Sequence, residues 1–162
     1  MTCLLCSSQK IKKNFVSVNA EVNYSICGEC NSHYQNPIIK SNYNDGYWEK
    51  ATDPDGRERI FVNERDDKIK NWYGDTANYV NRFKNIKVLD VGCGLGYFLT
   101  SLNDNIEKYG IEGSEFACDH IRKNFKDIKI INGTIDDLDN FDDKFEIIML
   151  YHVIEHLENP KK

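Results

Sequence analysis

Three alternating glycines follow an apolar segment at residues 86–91. The stretch "VLDVGCGLGYF" places Gly92, Gly94 and Gly96 after a predicted strand, with Asp90 two residues before the first glycine. Glycine lets a turn bend sharply and lets a ligand approach the backbone, because no Cβ fills the space. The spacing is not the G-x-G-x-x-G of a dinucleotide site, and an Asp90 carboxylate would repel a pyrophosphate. A tight turn without a ligand is the simpler alternative.

A carboxylate beside bare backbone suits a cofactor that carries positive charge. S-adenosylmethionine has an ammonium, a sulfonium and no phosphate, so Asp90 would attract its methionine end. Glu112 ends the next predicted strand, twenty residues beyond Gly92, where an acidic side chain can accept hydrogen bonds from ribose hydroxyls. Together the glycine turn and Glu112 favour S-adenosylmethionine over a turn without a ligand.

Strand and helix patterns alternate around these residues. Short apolar strands are predicted at 86–91, 108–112, 128–131 and 145–150, with helices at 97–104 and 114–125. Unbroken apolar strands separated by helices indicate a parallel sheet that is covered on both faces. Right-handed crossovers give the strand order 3-2-1-4. The sequence therefore predicts an α/β, doubly wound, Rossmann-like sheet whose ligand binds at the carboxyl ends of its strands.

A further helix is predicted before the first strand. Apolar residues recur at three- and four-residue spacings over 68–83, which indicates an amphipathic helix, bent near Gly74, that packs on the sheet. These residues are Ile69, Trp72, Tyr73, Tyr79, Val80 and Phe83. The preceding residues, 41–67, show no sustained periodicity and are predicted to form a linker with aromatic anchors.

Two cysteine pairs lie near the N-terminus. Cys3 and Cys6 are separated by two residues, as are Cys27 and Cys30, and twenty residues lie between the pairs. Four thiolates at this spacing can close a tetrahedral zinc site, which predicts a structural zinc ribbon over residues 1–40. Such a small segment cannot fold on its apolar area alone, so the metal would supply folding energy. His33 could compete as a ligand, but four cysteines already satisfy zinc.

Three polar residues follow the fourth predicted strand. In "LYHVIEH", His152 is the candidate general base, because histidine titrates near neutral pH. His152 and His156 would share a helical face and could bind a divalent metal with Glu155. The alternative is that Glu155 and His156 brace the start of a helix. Cys93 and Cys118 are predicted as small apolar packing residues.

Composition excludes several classes of protein. The net charge of −5 and the acidic stretch at 136–146 argue against a nucleic-acid partner. The longest apolar run is far shorter than the roughly 20 residues of a membrane span. The first ten residues lack a basic start and a long apolar centre, so no secretory signal is predicted, and the cytoplasm is the expected location. Thiols stay reduced there, which favours metal binding over disulfides.

Four segments of the chain match the motifs of a known family in order and spacing. The segments "VLDVGCGLGYFL", "YGIEGSEFACDHIRKN", "NGTIDDL" and "FEIIMLYHVIEHLENP" resemble the successive motifs of class I S-adenosylmethionine-dependent methyltransferases over residues 68–162. The resemblance implies that the glycine turn lines the methionine part and that Glu112 holds the ribose. It also places Gly113 and Ser114 beside the adenosine and residues 134–136 at the adenine. The predicted cofactor-binding residues are Asp90, Gly92, Cys93, Gly94, Gly96, Glu112, Gly113, Ser114, Thr134, Ile135 and Asp136.

The N-terminal cysteine segment carries a second resemblance. "CLLC" and "YSICGECNSHYQNP" resemble the zinc-ribbon leader of a bacterial methyltransferase group that includes sugar C-methyltransferases. This implies a small-molecule, nucleotide-sugar or glycan acceptor. Members of the family continue for about three more strands, so we expect a C-terminally truncated domain whose fourth strand is open to self-association. The rival interpretation is a non-catalytic zinc-ribbon interaction module joined to a vestigial cofactor-binding half-domain.

Overall fold

A computed structural model describes residues 2–16, 23–35, 45–52, 58–140, 143–157 and 160–161. The chain forms two compact units. The first comprises Met1–Asn42 with His152–Lys162, and the second comprises Tyr43–Tyr151. Within the described part of the chain, no helix is long and apolar enough to cross a membrane.

The first unit contains a small antiparallel sheet. Its strands are β1 (Ile11–Val16), β2 (Asn23–Cys27) and β3 (His33–Gln35), in the order β1-β2-β3. The ring of Phe15 stacks on that of Tyr24 with centroids 5.3 Å apart. Because β2 ends at Cys27, the strand delivers the second cysteine pair directly into the turn that follows it.

The second unit is built on a four-stranded parallel sheet. Its strands are β6 (Lys87–Val91), β7 (Glu107–Glu112), β8 (Ile128–Asn132) and β9 (Ile147–Met149). The spatial order is β8-β7-β6-β9, and every pairing is parallel. The order 3-2-1-4 and the Rossmann-like fold class are thereby confirmed. Two helices connect the strands, α4 (Tyr97–Thr100) and α5 (Glu115–Asn124).

Short elements precede this sheet. They are α1 (Asp45–Glu49), β4 (Ala51–Thr52), β5 (Glu58–Arg59) and a 3-10 turn at Phe61–Asn63. β4 and β5 pair with each other antiparallel. The rings of Tyr47 and Phe61 stack with centroids 4.9 Å apart, so the residues of the predicted linker include a packed aromatic cluster.

The prediction of a helix at 68–83 that packs on the sheet is confirmed in part. It consists of α2 (Arg65–Lys68), a π-helical turn at Ile69–Tyr73 and α3 (Gly74–Val80). The wider turn, which ends just before Gly74, rotates the residues that follow it. Val80 is buried, and Ile69 and Tyr73 pack against the core, as predicted, while Ala77 is buried as well. The expectation that Trp72, Tyr79 and Phe83 pack on the sheet is wrong, since all three are exposed.

The fourth strand is shorter and more exposed than predicted. It spans Ile147–Met149 rather than residues 145–150 and pairs with β6. No strand in the described ranges pairs with its other edge. Ile148 is 51% exposed, so the prediction that this strand is buried on both faces is wrong for that residue.

Candidate cofactor and metal sites

The glycine turn connects β6 to α4 at the carboxyl end of the sheet. Gly92, Gly94 and Gly96 have φ angles of 67°, 54° and 76°, in the left-handed region that favours glycine. A Cβ on Gly94 would lie 2.7 Å from Cη2 of Trp48, and one on Gly96 would lie 3.1 Å from Ile121. Both positions therefore require glycine for conformation and for space.

Asp90 lies one residue before the end of β6 and is 4% exposed. Burial, together with the negative charge of Glu112, raises the pKa of Asp90 from 3.8 to about 8. Desolvation penalises the carboxylate, so a cation that enters the site would favour the charged form. Asp90 is thus suited to a ligand that brings positive charge.

Glu112 ends β7 and holds the neighbouring loops together. Its Oε2 accepts a hydrogen bond from the backbone N–H of Gly94 at 2.9 Å, and its Oε1 accepts one from Ser114 at 2.8 Å. Each carboxylate oxygen has a second lone pair, so these bonds leave room for a ligand hydroxyl. Ribose binding by Glu112 stays a prediction, but the structure gives this residue a bracing role that sequence did not reveal.

The predicted adenosine and adenine residues lie on two adjacent turns. Ser114 caps α5, its Oγ accepting a hydrogen bond from the N–H of Ala117 at 3.3 Å. Thr134 and Asp136 begin the turn after β8, where Asp137 accepts a hydrogen bond from the Thr134 N–H at 2.8 Å. The role of Asp137 in holding this turn is not among the sequence predictions, although its three-residue spacing from Thr134 is that of a capping residue.

The arrangement fits S-adenosylmethionine. Asp90 supplies a buried carboxylate next to the glycine turn, whose glycines present backbone without Cβ atoms, and Glu112 stands at the end of the adjacent strand. Cys93 is buried within the turn, and Cys118 is buried on α5, which agrees with their predicted packing role.

The raised pKa of Asp90 predicts a pH-dependent gain in stability for Asp90→Asn. Between pH 4 and pH 8 the folded state holds a proton that the unfolded state has released, so the wild-type protein loses stability as pH rises. The variant cannot titrate there. Its advantage in the free energy of unfolding should grow by roughly 1 kcal/mol per pH unit from pH 5 to pH 8, measured by urea denaturation without cofactor.

Asp127→Asn is the matched control. Its hydrogen bond to the buried Lys108 lowers the pKa of Asp127, so the stability that it contributes is present above pH 4 and is lost only at lower pH. This variant should therefore be destabilised by the same amount across pH 5 to 8. A pH-independent difference for Asp90→Asn would contradict the assignment.

The four N-terminal cysteines converge. Their Sγ atoms all lie within 4.8 Å of one another, with Cys3 and Cys30 at 3.6 Å and Cys6 and Cys27 at 3.5 Å. Zinc–sulfur bonds of about 2.3 Å in a tetrahedron require sulfurs about 3.8 Å apart. The cluster thus has the donor set and spacing that zinc requires, and His33 is not among the converging ligands.

His152 differs from its prediction in backbone geometry. Its φ is 55°, outside the right-handed helical region, and the following 3-10 turn spans Ile154–His156. The expectation that His152 and His156 share a helical face is therefore wrong. The Nδ1 of His152 lies 3.0 Å from Oε1 of Glu155. Among the described residues, the four cysteines are the one converging group of three or more potential metal ligands, so the divalent-metal alternative has no support.

Sequence comparison decides the family. Residues 61–162 match the methyltransferase domain family. The chain belongs to this family. Two curated relatives, the ubiquinone biosynthesis O-methyltransferases of Rickettsia bellii strains OSU 85-389 and RML369-C, are each 29% identical over 98 residues. These matches cover 57% of this methyltransferase-family chain and 38% of each relative.

Structural comparison supports the fold. The crystal structure of the plantazolicin methyltransferase BpumL, in complex with a monoazolic desmethylPZN analog and SAH, has a TM-score of 0.50 and 20% identity. The aligned region covers 61% of this chain and 40% of the BpumL chain. This methyltransferase-family chain therefore spans about two fifths of the length of the Rickettsia relatives and of BpumL.

Proposed function

We propose that the protein transfers a methyl group from S-adenosylmethionine to a small-molecule, sugar or glycan acceptor. The observation that carries this proposal is the pair of buried carboxylates, Asp90 and Glu112, beside a glycine turn at the carboxyl ends of β6 and β7. Membership of the methyltransferase domain family supports the same conclusion.

The chain's own residues would bind and orient the reactants. Asp90 would attract the cofactor's ammonium, and Glu112 would accept hydrogen bonds from its ribose hydroxyls while it braces Gly94. Residues 134–136 would contact the adenine, as the family resemblance implies. The bound cofactor supplies an electrophilic methyl group on a sulfonium. Catalysis would then rest on positioning the acceptor in line, with His152 proposed as the base that removes a proton.

Two resemblances bear on the acceptor class. The Rickettsia relatives are named for O-methylation in ubiquinone biosynthesis, whereas the N-terminal cysteine segment resembles leaders of sugar methyltransferases. A screen of nucleotide sugars, glycans and phenolic compounds with radiolabelled methyl donor distinguishes these classes. Cofactor binding without turnover of any acceptor would favour the rival, a non-catalytic ribbon module.

Asp90→Ala and Glu112→Ala should each weaken S-adenosylmethionine binding by about 1 to 3 kcal/mol, because each removes a charged hydrogen-bond partner. Isothermal titration calorimetry measures this change. Glu112→Gln keeps one acceptor oxygen, and so one of the two backbone hydrogen bonds, and its affinity should fall by less than that of Glu112→Ala.

Asp104→Ala is the control for these variants, since Asp104 is exposed and precedes β7 at the opposite end of the sheet. The affinity of Asp104→Ala for S-adenosylmethionine should match that of the wild-type protein. Unchanged affinity in both Asp90→Ala and Glu112→Ala would place the cofactor elsewhere.

We also propose that the four converging cysteines bind one structural zinc ion. All of the six cysteines are free thiols, which suits the reducing cytoplasm that we propose as the location. Self-association through the open edge of β9 is part of the same proposal, because an unpaired strand edge can pair with another chain.

A further inference from the structure

An aromatic side chain lies against the glycine turn. Trp48, on α1, approaches Gly94 so closely that a Cβ there would lie 2.7 Å from its Cη2 atom and 3.2 Å from its Cζ3 atom. The indole is held by neighbouring rings, with centroids 5.1 Å from Tyr47 and 5.7 Å from Phe61. The indole of Trp48 therefore occupies the space beside Gly94 that a Cβ would need.

The indole has an unused hydrogen-bond donor. Nε1 of Trp48 is buried, and no described residue accepts a hydrogen bond from it. A buried donor without an acceptor is unfavourable in free energy, and tryptophan N–H groups usually find a partner when buried. A ligand that brings an acceptor to this position would recover that free energy.

The backbone of the turn offers few donors of its own. The N–H groups of Gly92 and Cys93 both donate to the carbonyl of Ile111, at 2.8 Å and 3.3 Å. Those of Gly94 and Gly96 donate to the Glu112 carboxylate and to the Cys93 carbonyl. Four N–H groups of the turn are thus already committed to the protein.

S-adenosylmethionine has one group that accepts hydrogen bonds and carries negative charge, its carboxylate. Asp90 and Glu112 can only accept hydrogen bonds when charged, so they suit the ammonium and the ribose hydroxyls and repel the carboxylate. We propose that Trp48 covers the methionine end of the cofactor and that its Nε1–H donates to the cofactor's carboxylate. This inference rests on the proposed cofactor.

The test compares two ligands by calorimetry. S-adenosylhomocysteine carries the carboxylate and the ammonium, whereas 5′-methylthioadenosine keeps the adenosine and thioether without either. Trp48→Phe preserves a ring and removes the N–H, so it should weaken S-adenosylhomocysteine binding about 10-fold and change 5′-methylthioadenosine binding less than about 2-fold.

Trp72→Phe is the matched control. Trp72 is 41% exposed, and its ring packs under Nζ of Lys68 at 4.8 Å, so its replacement should leave both affinities unchanged. The chain has two tryptophans, so each single variant retains one tryptophan whose fluorescence can be measured. S-adenosylhomocysteine should change the fluorescence of Trp72→Phe, which retains Trp48, and leave that of Trp48→Phe nearly constant.

The outcomes separate this inference from the proposed function. If the wild-type protein binds S-adenosylhomocysteine and Trp48→Phe binds it equally well, the role of Trp48 is overturned and the cofactor assignment stands. Equal losses for the two ligands would show packing without a bond to the carboxylate and would also overturn it. Failure of the wild-type protein to bind S-adenosylhomocysteine would overturn both. Circular dichroism and the thermal midpoint verify that each variant is folded.

Discussion

Zinc removal is expected to unfold the β1-β2-β3 sheet while the parallel sheet remains folded. The two units differ in what stabilises them. The parallel sheet and its helices share a large apolar core, whose fully buried side chains include Val80, Val88, Leu89, Leu99, Ile111 and Ile121. By contrast, β1 is exposed along its whole length. Structural zinc contributes about 10 to 16 kcal/mol in small zinc-binding peptides, far more than such a sheet can replace.

The experiment combines elemental analysis with hydrogen exchange. Freshly purified protein should contain one zinc per chain, and a strong chelator should remove amide protection from residues 23–27 while residues 87–91 stay protected. Cys27→Ser should reproduce the effect, because Cys27 is fully buried and supplies one of the four sulfurs.

Cys118→Ser is the control for Cys27→Ser. Cys118 is also fully buried, but it lies on α5, and its Sγ is 3.3 Å from the carbonyl oxygen of Glu112. The Cys118→Ser variant should retain zinc and the protection of the β2 amides from hydrogen exchange. Absence of stoichiometric metal from the fresh wild-type protein would rule out the zinc site.

Strand order and the cysteine cluster could be predicted because each depends on few residues. The order 3-2-1-4 combines right-handed connections with a topological switch point at the glycine turn, and the two Cys-x2-Cys pairs define a ligand set without further contacts. The glycine turn was recognisable for the same reason, since the positive φ angles of Gly92, Gly94 and Gly96 leave little choice of residue.

Other features depend on tertiary packing that no local pattern encodes. Within the π-helical turn at Ile69–Tyr73, Tyr73 packs against the core and Trp72 is exposed, although the spacing of both residues indicates burial. Trp48 lies in a five-residue helix, too short for a periodic signal, and its position against Gly94 follows from the fold. His152 adopts a left-handed conformation that its residue type does not predict.

The open edge of β9 gives the last prediction. β6 pairs with β7 on one side and with β9 on the other, whereas β9 pairs with β6 and with no other strand of the described residues. In a verified monomer, the amides of residues 147–149 should therefore exchange about 100-fold faster, or more, than those of residues 87–91. Equal and strong protection of both strands would show that the edge is covered.

Two substitutions test whether this edge mediates self-association. β9 consists of Ile147, Ile148 and Met149, which present an apolar edge, and a lysine on such an edge opposes strand pairing between chains. Ile148→Lys should thus shift sedimentation toward the monomer and reduce binding of the hydrophobic dye ANS.

Ile131→Lys is the matched control on β8, the other edge strand of the same sheet. Ile131 is exposed like Ile148, but its strand already carries Lys129 and ends in Asn132, polar residues that discourage pairing. Its replacement should leave the association constant unchanged. If Ile131→Lys lowers self-association as much as Ile148→Lys does, added charge rather than the β9 edge accounts for the effect.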